Sequence, residues 1–559
     1  MFGFVIIVGL SYHKTWESPI RLKDTRPTIM ISRIKPHKQE FYPREIKAAT
    51  YNDSKHPNFK GVVEATTSVL QYCNTNPMAG VSLIDLITAI APRTIVDAKT
   101  NGFAAAETCR RESSGLIVNC LIPGFIVLGV AKLLEAFGAG PKGLSKLWAN
   151  QEALETLRDH YKESGGSAKE YITRLFADAE VLKGKKWIKI VPERLETELS
   201  DYANAIENNI KDSKTIKSIR QKLYNKILET TGGAEHIKIH GKVYHDNIST
   251  LLRDTLDVGK KFIHDLGKDH TQIDTFVKKA TKFVNKKSLL GLAIVIPLAA
   301  SMQTINRWIT KKTSGQEGAP IYKDFGKGKQ KTEMTPAQKS TFWTKKIGAA
   351  GLMVGTALLS MMKKPSIKML QFTKNMPSMD QCRWIATATF ASRMLASEDE
   401  NELKEVTWRD IATFSSLYFL GDYVSKGVGT IIQKVKGVPL LNYMQESPKT
   451  KNPIKNFWYW VKDTKLKSFD EANAIKATES AIHGSKAKGL RAICEVSSLG
   501  FSMLVLGILV PWYVRKETER KEHMKLKSRL QDLMSYPSLN LNGTSNKKTF
   551  QAFGMMMQK

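Results

Sequence analysis

The chain has 559 residues, 42% of them hydrophobic and 25% charged, and 85 Lys and Arg against 53 Asp and Glu give a net charge of +32. That apolar content excludes a wholly disordered chain, and five cysteines over this length exclude a small disulfide-stapled scaffold. The mean hydropathy of −0.28 hides a mosaic of long uncharged runs and strongly basic connections, with no fixed repeat period.

Residues 1–60 are basic with scattered prolines and are expected to be flexible. Phe2–Leu10 is apolar but too short to span a membrane, and it lacks the basic lead and small-residue cleavage site of a signal peptide. Met30 is an alternative start. Residues 61–114 read as amphipathic helices leading to a membrane. Ser82–Ala91 is a short one, stopped by Pro92, and another starts near Phe103 and carries Arg110 and Arg111 to the interface.

Four runs lack any charged residue or histidine: 115–131, 288–306, 347–362 and 496–514. A hydrocarbon core about 30 Å thick needs roughly 20 helical residues. The runs are apolar all round, whereas a helix of a soluble core keeps a polar stripe. Basic residues crowd their ends, Lys286 and Lys287, Lys345 and Lys346, Arg515 and Lys516 among them, where long stems reach headgroups. Trp308, Trp343 and Trp512 stand at run ends as interfacial anchors. Pro123, Pro297 and Pro511 inside or beside the runs point to a packed bundle in which neighbours satisfy the freed backbone groups. Gly351 and Gly355 form a GxxxG, which permits close helix contact.

The largest polar block, 132–287, reads as a helical extramembrane domain. Its opening GAGPKG follows helix-like sequence rather than a strand, so it is a turn and not a dinucleotide fingerprint. Gly232 and Gly233 signal a helix C-cap. The alternation around His240-Gly241 predicts a hairpin near 236–245, with Asp246 or Asn247 capping the next helix. The loop 307–346 holds ten basic residues against three acids and is placed in the cytoplasm by the positive-inside rule. Four spans then put both termini on the cytoplasmic side, and the long segments 132–287 and 363–495 outside. The 363–495 segment carries two further apolar stretches, 384–396 and 411–425, as re-entrant or additional spans. Asp422 stands in the second, and Arg383 and Arg393 flank the first, so the three form a candidate intramembrane charge cluster. Ser397 opens a capping signal between them. Residues 515–559 read as a charged helix and a flexible tail.

Motifs for nucleotide, protease, hydrolase and calcium chemistry are lacking, and no CxxC joins the cysteines. His236, His240 and His245 with Asp246 are the best metal candidate. Two lie on opposite arms of the hairpin and one in its turn, so they read as solvated loop histidines, and no metal, cofactor or catalytic residue is expected. The positive charge is spread along every polar segment and peaks beside the apolar runs. That fits anionic headgroups better than nucleic acid.

The sequence thus predicts an all-α, multi-pass helical membrane protein with at most a small β-hairpin, in a bacterial-type cytoplasmic membrane. The leading functional expectation is a non-catalytic scaffold or envelope-associated protein that presents its domain to a protein partner. A transporter or channel using proline-broken spans and an intramembrane acid is the alternative, and a membrane-embedded lipid-acting enzyme a further one. Arg110, Arg111 and Glu112 alone do not supply the site such an enzyme needs. A polar cavity within the bundle separates transport from scaffolding.

Overall fold

The computed structural model describes residues 59–513 apart from 100–101, 139–142, 245–246, 267–268, 315–334, 362–369, 374–376 and 446–449, together with Lys516, Glu517, Arg520 and Lys527. The segment 1–58, most of the GAGPKG turn, half of the basic loop, His245, Asp246 and most of the C-terminal helix and tail lie outside these residues.

Seven helical rods build the bundle: α1 (Met78–Ala98), α2 (Gly102–Ala136), α3 (His270–Ser314), α4 (Pro336–Met361), α5 (Met379–Leu395), α6 (400–436) and α7 (Gly484–Tyr513). Four of them, α1, α2, α3 and α7, are long and apolar enough to cross a membrane. Two of these contain the expected runs 115–131 and 288–306, and α7 contains the run 496–514 as far as Tyr513. The run at 347–361 is helical within α4, but α4 is not among the four.

The fourth such helix is a correction. Ser82–Ala91 does not stop at Pro92; α1 continues to Ala98. A proline lacks an N–H and crowds the carbonyl four residues back, Thr88 in this case. Here that carbonyl sits in a π-helical segment, Leu86–Ile90, where Ala91 N–H reaches back five residues to Leu86 O. The wider turn makes room for the ring. The same device recurs at Ile117–Leu121 before Pro123 and at Met503–Leu509 before Pro511.

Successive rods run antiparallel. Thr108 Oγ1 donates to Asp97 across the α1–α2 hairpin, and Arg110 reaches Asn306 on α3. Arg393 on α5 meets Asp410 on α6. One end of the bundle therefore gathers the α1–α2, α3–α4 and α5–α6 connections and the end of α7. The other end carries 137–269 and 437–483. The stretch 363–495 is thus not one outer segment, because α5 and α6 cross the bundle and return. The helix Phe59–Thr75 also lies at the domain end, where Gln71 donates to Asp470 at 2.7 Å. The number of candidate spans among the described residues is the four expected, with α1 standing in the place of the 347–362 run.

The domain between α2 and α3 holds a sheet larger than the single expected hairpin. Strands β1 (Ala179–Lys183), β2 (Lys186–Lys189), β3 (Ile237–Ile239) and β4 (Lys242–Tyr244) form an antiparallel sheet in the order β2-β1-β3-β4. Helices cover it around Tyr161, Tyr171, Phe176, Tyr202 and Phe262, all buried. Asn150, Ser167, Asp212 and Asn247 cap the helices that follow them, and Gly232 ends Ser213–Thr231 with φ 74°. A second ribbon, β5 (Leu441–Tyr443) with β6 (Thr464–Leu466), joins this sheet through Tyr443 N–H and Gly184 O at 2.7 Å. Glu471 ties it down, accepting from the N–H groups of Ala234, Glu235 and Ser468. Burial pushes this carboxyl up, against those same N–H groups.

The expected lysine anchors divide. Lys287 is fully buried, donating to Leu147 O at 2.7 Å above the Trp148 ring. Lys345 reaches Glu400, and Lys346 is buried against Phe342 and Trp343. The expected GxxxG contact is not used among the described residues, since a Cβ at Gly351 or Gly355 would meet none of them within 4 Å. Close approach falls instead at Gly291 on α3, where a Cβ would strike Val127 of α2. Gly291→Val should therefore lower stability by about 1–3 kcal/mol, and Gly351→Val should be near neutral. Thermal midpoints of the two purified variants in one detergent check this, and equal midpoints would refute the contact.

Candidate functional site

Where α1, α2, α5 and α6 meet, the bundle forms a partly open cavity of about 40 Å³. That is room for on the order of three waters. Its walls are charged: Asp85 and Arg93 from α1, Glu112 from α2, Arg393 from α5 and Asp410 from α6, with Tyr418 closing one side. Two π segments, Ile117–Leu121 and Ser416–Leu420, contribute wall residues, and a third, Leu86–Ile90, begins beside Asp85. Such wide turns unpair backbone carbonyls and often mark functional positions.

The charges are paired with one exception. Arg93 binds Glu112 at 2.8 Å and lies 3.4 Å from Thr413 Oγ1. Arg393 faces Asp410 at 3.5 Å, and Asp410 also accepts from Arg409 at 3.1 Å. Asp85 lines the cavity with the guanidinium groups of Arg93 and Arg393 near it, yet among the described residues it has no close ion pair of its own. It lies fourteen residues before Lys99, roughly 20 Å down the helix at 1.5 Å per residue.

A second polar cluster continues the track toward the connection end. Buried Glu107 accepts from Arg110 at 2.5 Å and from Thr310, and lies 3.1 Å from Arg111 as an ion pair. Arg110 also reaches Asn306 Oδ1 at 2.8 Å, and Ser114 closes the ring of contacts. Sequence reasoning set Arg110 and Arg111 at an interface; in the structure Arg110 sits against α3 and Arg111 pairs with Glu107 on its own helix. It missed Asp85, Arg93 and Asp410. The available signal was a carboxylate at the centre of SLIDLITAIA.

The expected cluster of Asp422, Arg383 and Arg393 is divided among three partners. Asp422 is 56% exposed and pairs with Lys426 at 2.6 Å. Arg383 binds Asp380 at 2.8 Å and donates to Tyr418 O in the π segment at 2.7 Å. Only Arg393 reaches the cavity. The helix after Ser397 is capped by Asp399, which accepts from Glu402 N–H, while Ser397 turns back to Arg393 O.

Trp308, Trp343 and Trp512 are exposed and stand at the same end of the bundle, each with a lysine over its ring: Lys312, Lys346 and Lys516. Of the hairpin histidines, His236 and His240 are separated by four residues along β3, roughly 13 Å in a strand, and do not converge. Burial and nearby Lys465 push His236 down to about 4. His240 turns toward another pair of residues.

No family model matches the chain, and no curated protein or solved structure matches it either.

The Arg93–Glu112 pair generates a test of the site. Arg93→Met or Glu112→Gln should each cost roughly 3 kcal/mol, because one buried charge loses its partner. The double variant should cost less than the sum by at least about 1 kcal/mol. Chemical denaturation of the four proteins in micelles measures this, and strict additivity would refute the pairing.

Proposed function

We propose that this chain is a multi-pass membrane protein whose bundle binds and relays protons or a small cation at Asp85. Membrane embedding rests on an inverted distribution of polarity. Phe125, Ile294, Ile347, Leu359 and Ile508 are exposed on the outer faces, while Glu107, Glu112 and Asp410 turn inward. A soluble protein rarely leaves so continuous an apolar surface open. The exposed Trp residues with lysines over them suit a headgroup boundary at the connection end. With ten basic residues in 307–346, that end is the cytoplasmic one and favours anionic lipid.

The observation that carries the functional reading is the charged cavity with its free carboxylate. Ionisable groups within membrane helices are costly and mark ion or proton pathways more often than anchors do. The volume admits a few waters or a small ion, and no organic solute in this conformation. Asp85 supplies the exchangeable site, with Arg93 and Arg393 setting its charge balance. The Glu107 cluster extends the track toward the connection end.

The test is flux through proteoliposomes holding a pH-sensitive dye under an imposed proton or sodium gradient. Protein-containing vesicles should dissipate one of the gradients faster than lipid alone, and Asp85→Asn should slow this at least about tenfold, the scale of a lost proton-transfer group. Asp422→Asn, at an exposed site, should have little effect. Flux indistinguishable between wild type and D85N would overturn the reading. So would wild-type vesicles no leakier than lipid; the charges would then lock the bundle, and the domain at 137–269 would favour the scaffold alternative.

A further inference from the structure

We infer that the extramembrane domain carries a divalent transition-metal site formed by His160, Asp178 and His240. The inference is independent of membrane embedding and of Asp85.

The fold brings the three residues together from different directions. Strand pairing sets the first two: Ala179 of β1 faces Ile239 of β3 in an antiparallel ladder, so the next position outward opposes Asp178 to His240. His240 occupies the β3–β4 turn at φ 50°, a left-handed conformation that a side chain other than glycine seldom adopts. His160 rises from beneath, on the helix Gln151–Glu163. Its ring lies against that of His240, with centroids 4.6 Å apart. Nε2 of His160 is 3.3 Å from Asp178 Oδ2, and Nε2 of His240 is 3.7 Å from the same oxygen. The three ligand atoms all lie within 4.8 Å of one another.

Two features make this more than a chance gathering. The first is the orientation of His160. Its Nδ1 lies 2.8 Å from the Thr156 carbonyl, which only accepts, so Nδ1 carries the proton and donates. In the neutral tautomer this leaves the lone pair on Nε2, and a backbone carbonyl behind the ring is the usual outer partner of a metal-bound histidine. The second is that His160 is wholly buried and its Nε2 has no hydrogen-bond partner. A buried polar atom left this way calls for an explanation, and a cation shared with Asp178 and His240 supplies one.

The donor set selects the ion. Two imidazoles and one carboxylate suit zinc and its neighbours in the first transition row, whereas magnesium and calcium prefer oxygen. Bonds of about 2.0–2.2 Å at tetrahedral angles place ligand atoms roughly 3.3 Å apart, close to two of the separations here. Closing the third edge requires rotation only of Asp178 and His240, both open to solvent at 41% and 52%. Their exposed side leaves the fourth position to water.

The test uses the full-length protein in detergent, stripped with EDTA and titrated with zinc by calorimetry and with cobalt(II) by visible absorption. One equivalent should bind, and cobalt should give the intense bands of a four-coordinate site. His240→Gln and Asp178→Asn, both at exposed positions, should each weaken binding by roughly ten- to a hundredfold, the range for a perturbed metal site. His236→Gln, in the same hairpin but outside the trio, should bind as wild type does. His160→Asn removes a buried ring, so its loss of binding counts only if its circular dichroism matches wild type; the two exposed variants decide the question without it. Wild-type protein without a cobalt band, or binding unchanged in H240Q and D178N, would overturn the proposal.

Discussion

The constraint on which the bundle depends is that its charged side chains cannot face outward among its apolar ones. A guanidinium or carboxylate at the centre of a membrane helix costs roughly 2.5–3.5 kcal/mol on insertion scales. Here the charges of α1, α2, α5 and α6 point at one another across helix interfaces, as Arg93 to Glu112 and Arg393 to Asp410. Each such pair fixes which face of its helix turns inward. Apolar side chains are left on the outer faces, as Phe125 of α2, Ile294 of α3 and Leu359 of α4. The cavity is what remains where paired groups, rather than interlocking methyls, fill the centre.

Prolines and π segments serve the same arrangement. Three prolines each stand two residues beyond a π segment, so three rods continue where a regular α-helix would break. Two of the segments pack on each other. A Cβ at Gly507 on α7 would come within 3.1 Å of Thr88 O and 3.2 Å of Pro92 on α1. The absence of a side chain at Gly507 thus lets the widened turns touch. Close by, Asp85 and Arg93 lean from α1 into the cavity.

Much of this was legible in the sequence where one signal acted alone. Long uncharged stretches marked α2, α3 and α7. The alternation around His240-Gly241 marked the β3–β4 hairpin, and Gly232 marked its helix end. The reading failed where two signals competed. Asp85, Pro92 and Arg93 broke the apolar run of α1, so it looked like a short surface helix; Arg93 is instead paired with Glu112 of α2, and Asp85 faces the cavity. Strands β1 and β2 were hidden within helix-rich sequence, because β3, which pairs with β1, comes more than fifty residues later. Asp422 drew attention by its position among apolar residues, but Lys426, one helical turn on, takes its charge. His160 gave no sign, since the register that sets Asp178 against His240 emerges only when the sheet forms.

The account stands on the inverted placement of polar and apolar faces, and accessibility along α3 tests it most directly. Nitroxide labels at Ile294 and at Val295, one at a time in a background without native cysteines, distinguish an outer from a buried position in reconstituted vesicles. The label at Ile294 should collide readily with oxygen, which concentrates in lipid, and poorly with a water-soluble nickel chelate; the label at Val295 should meet little of either. An Ile294 label more accessible to the nickel chelate than to oxygen would place that face in water and contradict the account.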